Sequence, residues 1–253
     1  MDRKRINGPE KSIVPQPLIS TALGHPHTGQ RADKRRPDQI RPIYTKAGTI
    51  PQANGSAYIE TGNLKVICAV YGPRQSSSRQ LSSSTGTLQC DFKFAPFSGE
   101  KRKGYAKDDQ EKEFSMVLEQ ALTPSIRLEN YPKFTIQVFV IVLENDGSMS
   151  ALAAAISCAS LALANAGIEM LDMVAASSIA YFGESMLCLD VSLKEEMVQD
   201  GAMLVSYMPS LNEVTHLIQT GLATTSQCTK AIELGVDACS QIHTILQEAL
   251  LSE

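Results

Sequence analysis

The sequence predicts an α+β fold in which mixed sheets pack on buried helices. Three observations predict it. Between residues 43 and 94, short and partly alternating runs are separated by Gly, Asn and Pro, the pattern of an antiparallel meander. Residues 134–143 (FTIQVFVIVL) are an almost unbroken apolar, β-branched run, which suits a strand at the centre of a sheet. Residues 150–166 are nearly all Ala, Leu, Ile and Ser, so a helix there has no polar face and must lie between layers.

Taken in order, residues 1–40 are rich in Pro, Gly, Arg and Lys with no apolar period. They read as a basic, extended or disordered arm ahead of one domain over 41–253. Within the arm, Lys34-Arg35-Arg36 suits a nuclear-localisation element, a phosphate contact or a solvated tail. Strands are expected at 43–50, 55–61 and 64–71, turning at Asn54-Gly55 and Gly62-Asn63, where Gly and Asn tolerate positive φ. Residues 72–87, with Arg74 and Arg79, are expected to be a mobile loop before a strand at 88–94. A second polar loop at 98–108 carries Lys101, Arg102 and Lys103.

Phe114, Val117, Leu118, Ala121, Leu122 and Ile126 then recur at helical spacing, predicting a helix over 109–129 that Pro124 bends or divides. After the apolar helix, Gly167 provides a left-handed stop. Strands follow near 172–182, 185–191, 202–208 and 213–219. The stripe Cys228, Ile232, Val236, Cys239, Ile242, Leu246, Leu250 makes 224–251 an amphipathic helix facing the core.

With 43% hydrophobic and 20% charged residues, the composition is that of an ordinary globular protein. The net charge of −4 is unevenly spread: residues 1–36 hold eight Lys/Arg against three acids, leaving the rest at about −9. Such a body is not a generic nucleic-acid binder, so any RNA contact is local or shared with a partner. The six cysteines are scattered, without a CxxC and without His at metal spacing. That pattern leads us to expect a reducing intracellular compartment and no disulfide, metal or cofactor. No signal peptide is visible, and the longest apolar runs are read as broken too soon for a membrane span.

Several phrases in order resemble the RNase PH family. They are Arg41-Pro42-Ile43, Gly55-Ser56-Ala57-Tyr58-Ile59-Glu60, Lys65-Val66-Ile67-Cys68-Ala69-Val70-Tyr71-Gly72-Pro73-Arg74 and Ala95-Pro96-Phe97-Ser98. Leu161-Ala162-Leu163-Ala164-Asn165-Ala166-Gly167-Ile168 and Met208-Pro209-Ser210-Leu211-Asn212-Glu213-Val214-Thr215 follow. Together they span residues 41 to about 250. The resemblance implies the RNase PH-like fold (ribosomal protein S5 domain 2-like), and within the family it is strongest to ring subunits of the eukaryotic RNA exosome.

Active members of that family cut RNA from its 3′ end with inorganic phosphate as the nucleophile. A cation must hold the phosphate, and a carboxylate must act as acid or metal ligand. The resemblance places the cation in a Gly-Ser/Thr-Arg turn, which falls here on Ser150-Ala151-Leu152, with Leu152 in place of Arg. The carboxylate position falls on Ala202. A second acidic position keeps its charge as Glu196, and Asp200 lies two residues from Ala202, on the same face of a strand. Where active relatives carry a pair of Arg, this chain has Asp108-Asp109-Gln110-Glu111.

These departures lead us to expect a non-catalytic structural subunit of the exosome ring, in nucleus, nucleolus and cytoplasm. The resemblance implies as partners other RNase PH-like subunits in a six-membered ring, S1/KH cap subunits, a hydrolytic exoribonuclease and RNA in the channel. RNA contact through Arg74, Arg79, Lys101, Arg102 and Lys103 is expected on the same ground, with solvated loops as the alternative. Two rival readings are a phosphate-dependent exoribonuclease whose site is shared with a partner, and an RNA-binding protein acting through the basic arm. His216 and His243 are read as structural.

Overall fold

The computed structural model describes residues 31, 33–75, 85–99, 101–104, 106, 108–183 and 186–251. Strands β1 (Ile43–Ala47), β2 (Gly55–Thr61), β3 (Leu64–Gln75), β4 (Thr87–Phe94) and β5 (Phe134–Glu144) form one sheet, ordered β1-β2-β3-β5-β4. Its pairs are antiparallel except β4–β5, which is parallel. Strands β6 (Ala175–Phe182), β7 (Met186–Leu189), β8 (Gly201–Met208) and β9 (Glu213–Gly221) form a second, antiparallel sheet, ordered β7-β6-β8-β9. The helices are α1 (Asp109–Leu122), α2 (Ser148–Asn165), α3 (Leu193–Glu196) and α4 (Thr225–Leu251).

Helix α2 lies between the sheets, touching β2 and β3 on one side and β6 and β8 on the other. Ala, Ser and Cys keep it thin enough for both layers to approach. Its serines bond inward: Ser157 Oγ and Ser160 Oγ accept the N–H groups of Ala176 and Val174. The helix is long and apolar enough to cross a membrane, contrary to the expectation of early interruption, but most of it is buried inside the fold. Gly167, at φ 71°, ends it as expected. Its N–H bonds the Ala164 carbonyl and that of Ile168 bonds Leu163, the 5→2 and 6→1 pair of a Schellman motif.

All eight residues of β6 and all eight of β8 are buried, because α2 and α4 both pack on these two strands. Ser178 and Ala202 face α2, whereas Ser177, Ile179 and Val205 face α4, where Gly235 lets the helix approach. Helix α1 carries Phe114 against Phe92 and Phe94 of β4. It stops at Leu122, and Pro124 sits in a 3-10 turn over Thr123–Ser125, so the expected helix to 129 is divided there.

Three further expectations change. Strand β3 runs through Gly72-Pro73-Arg74 to Gln75 with an irregularity between Tyr71 and Arg74, so Arg74 belongs to a strand. Arg79 lies outside the described residues. Strand β5 is interior to its sheet, as expected, yet alternate residues on its outer side remain exposed. Residues 33–40 do lack helix and strand, but Arg31 and Arg41 are buried against the second sheet, so order starts ahead of Arg41.

Gly55 shows how closely β2 and α2 approach. A Cβ there would stand 2.3 Å from the Ala162 carbonyl oxygen and 2.4 Å from the Ala166 nitrogen, and backbone cannot rotate away. Gly55→Ala is expected to destabilise the fold by about 3 kcal/mol, at the upper end of overpacking costs, read as a lower urea midpoint at unchanged m-value.

Candidate functional site at the entrance of helix α2

Strand β5 ends at Glu144, and Asn145-Asp146-Gly147 turns the chain into α2. Gly147 adopts φ 125°, and a Cβ on it would meet the Val191 carbonyl oxygen at 3.0 Å and Glu196 Oε2 at 3.3 Å. Glycine is therefore required both for the turn and for the space. The first amides of a helix carry no internal partner and attract anions. Here the chain fills that position itself. Glu196, at the end of α3, accepts the Ser148 N–H at 2.7 Å through Oε2 and the Ser148 hydroxyl through Oε1.

A narrow cleft beside this contact is lined by Met149, Ser150, Ser178, Glu196, Gln199 and Ala202, among others, and among the described residues no Lys or Arg lines it. Ser150 Oγ donates to the Val191 carbonyl at 2.7 Å and lies 3.2 Å from Ser178 Oγ. The cleft thus holds hydroxyls, one amide and one carboxylate already engaged. A separate cavity, which shares Glu196 with it, is lined by Phe94, Lys103, Gln110, Asn145, Ser148 and Met197, among others. Lys103 Nζ sits 3.9 Å above the Phe94 ring, a cation–π contact at the wall of this second cavity.

The fold therefore gathers Glu196, Ala202 and the α2 entrance into one place. It does not bring Leu152 there: that side chain is fully buried in the core, and Met149 and Ser150 line the cleft instead. Nor does it bring Asp200, whose carboxylate accepts the Gly183 N–H at 2.7 Å in the turn after β6. The charge at Asp108–Glu111 is mostly structural, because Asp108 and Glu111 form a capping box and Glu111 also accepts the Phe94 N–H. Lys101 and Arg102 are exposed. Arg74 stands over the Tyr71 ring at the far end of β5, roughly 30 Å away at about 3.3 Å per residue. His243 Nε2 lies 3.2 Å from Asp172 Oδ1, and burial lowers the pKa of His216.

Sequence reasoning missed the clamp that holds α3. Arg31 bonds both Glu195 oxygens, at 2.9 and 2.8 Å, and the carbonyls of Leu189 and Asp190. Arg41 pairs with Asp190 on one side and with Asp146 on the other at 2.8 Å, and Asp146 accepts the Leu193 N–H. The α2 entrance and α3 are thereby tied together. Burial works against the charges, yet the partners outweigh it: the Arg31 and Arg41 guanidiniums are held above their ordinary pKa and the Glu195 carboxyl below its own. Partners 105 to 164 positions apart leave no local signal. The one hint was Arg41-Pro42 at the expected start of order.

Comparison with known proteins places this geometry. Residues 39–169 match the model of domain 1 of the 3′ exoribonuclease family, and residues 172–238 match its domain 2. The human exosome complex component MTR3 is 37% identical over 99% of this chain and 94% of its own length. The RRP41-like exosome complex component of Arabidopsis thaliana is 40% identical over 87% of this chain and 84% of its own. The crystal structure of rice (Oryza sativa) Rrp46 superposes with a TM-score of 0.77 at 27% identity, covering 86% of this chain and 98% of that one.

The buried Arg31–Glu195 pair generates a test with a pH signature. Arg31→Ala is expected to cost about 3–5 kcal/mol at neutral pH, since it strands a buried carboxylate. In the parent chain the depressed Glu195 pKa contributes stability that is fully present above the unfolded value of about 4.3 and lost as pH falls through the folded value. In the variant the unpaired carboxyl favours its protonated form, so the deficit should shrink as pH is lowered toward 5. Urea titrations at several pH values check both the size and the sign.

Proposed function

The chain belongs to the RNase PH family of 3′ exoribonucleases, and from that premise we propose that it is a non-catalytic structural subunit of an RNA exosome ring. The observation that carries the reading is the Glu196 carboxylate bonded to Ser148 at the α2 entrance. Phosphorolysis needs an anion held there by a cation, beside a free carboxylate. In this chain an anion of its own occupies the entrance, Ala202 stands where the resemblance expects an acid, and among the described residues no Lys or Arg lines the cleft. A second carboxylate could not be recruited from Asp200, which is engaged with Gly183.

In this reading the subunit joins other RNase PH-like subunits in a six-membered ring, together with S1/KH caps and a hydrolytic exoribonuclease. It supports 3′-to-5′ processing and turnover of RNA, including ribosomal RNA, in nucleus, nucleolus and cytoplasm. Lys103, with Lys101 and Arg102 beside it, is the part of the chain best disposed to touch RNA near the cleft. Such contacts hold phosphates without reading bases. In the arm, Arg31 and Arg35 are engaged with Glu195, Asp33 and Asp190, which leaves Lys34 and Arg36 as its exposed cations over the described residues.

RNA-decay assays of the purified chain and of the reconstituted ring test this. The chain alone should not shorten a 3′-labelled RNA when phosphate is added. A ring carrying Glu196→Gln with Asp200→Asn should degrade RNA within about twofold of the parent ring, far less than the roughly 10²–10⁴-fold that loss of a working acid or base costs. Phosphate-dependent shortening that these substitutions abolish would establish a site shared with a partner instead.

A further inference from the structure

Of the six cysteines, Cys68, Cys158, Cys188 and Cys239 are buried, while Cys90 and Cys228 are half-buried. Burial raises the thiol pKa of the first four and of Cys90, and a thiol kept protonated in apolar surroundings is inert. Cys228 stands elsewhere. It closes the first turn of α4, next to exposed Thr225 and Thr229, and the start of a long helix favours negative charge nearby. Alone that would be an ordinary surface thiol, and what distinguishes it is the group that faces it.

That group is the Tyr181 hydroxyl, which comes from β6 on the side of the second sheet that packs on α4. Strand pairing sets Tyr181 beside Gly201 and Gly201 beside Gly221. A Cβ on Gly201 would stand 3.4 Å from Tyr181 Cδ2, so the ring packs over a strand position that has no side chain. Tyr181 is 1% exposed, and its hydroxyl has no hydrogen-bond partner among the described residues. The polar side chain it faces is Cys228, and burial pushes its pKa up to about 12, which keeps it an O–H donor. On the other side the Cys228 thiol donates to Gln219 Oε1 on β9 at 3.3 Å. A buried donor left unmade is costly and calls for an acceptor. Thiol sulfur is a weak acceptor, whereas an oxygen bound to that sulfur is a strong one.

We propose that Cys228 is a site of reversible oxidation by hydroperoxides, with Tyr181 as the positioning residue that holds the sulfenic acid product. The Cys228 thiolate attacks one peroxide oxygen and the O–O bond breaks. The sulfur keeps that oxygen, and the other leaves as hydroxide, which takes up the proton the thiol gave up and becomes water. Sulfur loses two electrons and the peroxide gains them. The new oxygen then accepts the Tyr181 O–H. Return to the thiol runs through an external thiol by way of a mixed disulfide. The site lies on the opposite face of the second sheet from the α2 entrance, and it stands whether or not the chain is a ring subunit.

The full chain, reduced and then exposed to hydrogen peroxide, can be trapped with dimedone and mapped by peptide mass spectrometry. Labelling at Cys228 should exceed that at each other cysteine by at least about tenfold, as thiolate access dictates, and Cys228→Ser should abolish it. Tyr181→Phe removes only the unpartnered hydroxyl, so the reduced variant should melt no lower than the parent. Its sulfenic acid should be lost about three- to tenfold faster, the effect of one missing hydrogen bond. Labelling elsewhere, or none while the chain stays folded, would overturn the site. A sulfenic acid as long-lived in Tyr181→Phe as in the parent would overturn the role of Tyr181, and so would a reduced variant less stable than the parent, because the hydroxyl would then already have a partner.

Discussion

Helix α2 has 13 of its 18 residues buried, and the arrangement of both sheets follows from having to cover it. A helix without a polar side is stable only when apolar surface meets it all round. Here that surface comes from the inner face of one sheet on one side and from β6 and β8 on the other. The small residues of α2 and Gly55 opposite set how near the layers come. Because the helix must enter this sandwich at Gly147, its N-terminal amides open between the sheets, close to α3.

That entrance is the place where an anion is most easily held, and the chain commits it to internal use. Glu196 takes the amide and hydroxyl of Ser148, while its neighbour Glu195 is gripped by Arg31. Consecutive residues of a single helical turn thus look in two directions, one toward α2 and one toward the segment before β1. Arg41, Asp146 and Asp190 complete the tie. Charged groups as buried as these contribute little net stability against apolar replacements, but each is costly to strand. Their effect is to make the position of α3 specific, and with it the carboxylate that fills the entrance.

The uncovered face of the first sheet has the same origin. The chain has enough apolar surface for two sheets and the helices between them, and α4 covers the second sheet from outside. No described helix does so for the first. Several of its outer aromatics and isoleucines, Tyr44, Phe139 and Ile141 among them, remain at the surface.

Most of the architecture was legible in the residues. The strands from β1 to β9 and the long helices announced themselves through period, β-branching and stops such as Gly167, because those signals act over a few neighbouring residues. Pro124 divided its helix for the same local reason. Glu196 and Ala202 were picked out by the family resemblance, and the fold does place both at one cleft. Leu152 and Asp200 were not legible in this way. Spacing along a chain does not say whether a side chain turns into the core, as Leu152 does, or is taken by another turn's amide, as Asp200 is. Only the tertiary structure could show the bonds from Arg31 to Glu195 and from Arg41 to Asp146 and Asp190, or that among the described residues helices cover β5 on one face alone. These depend on which distant segments meet, and an amino-acid pattern carries no local trace of that.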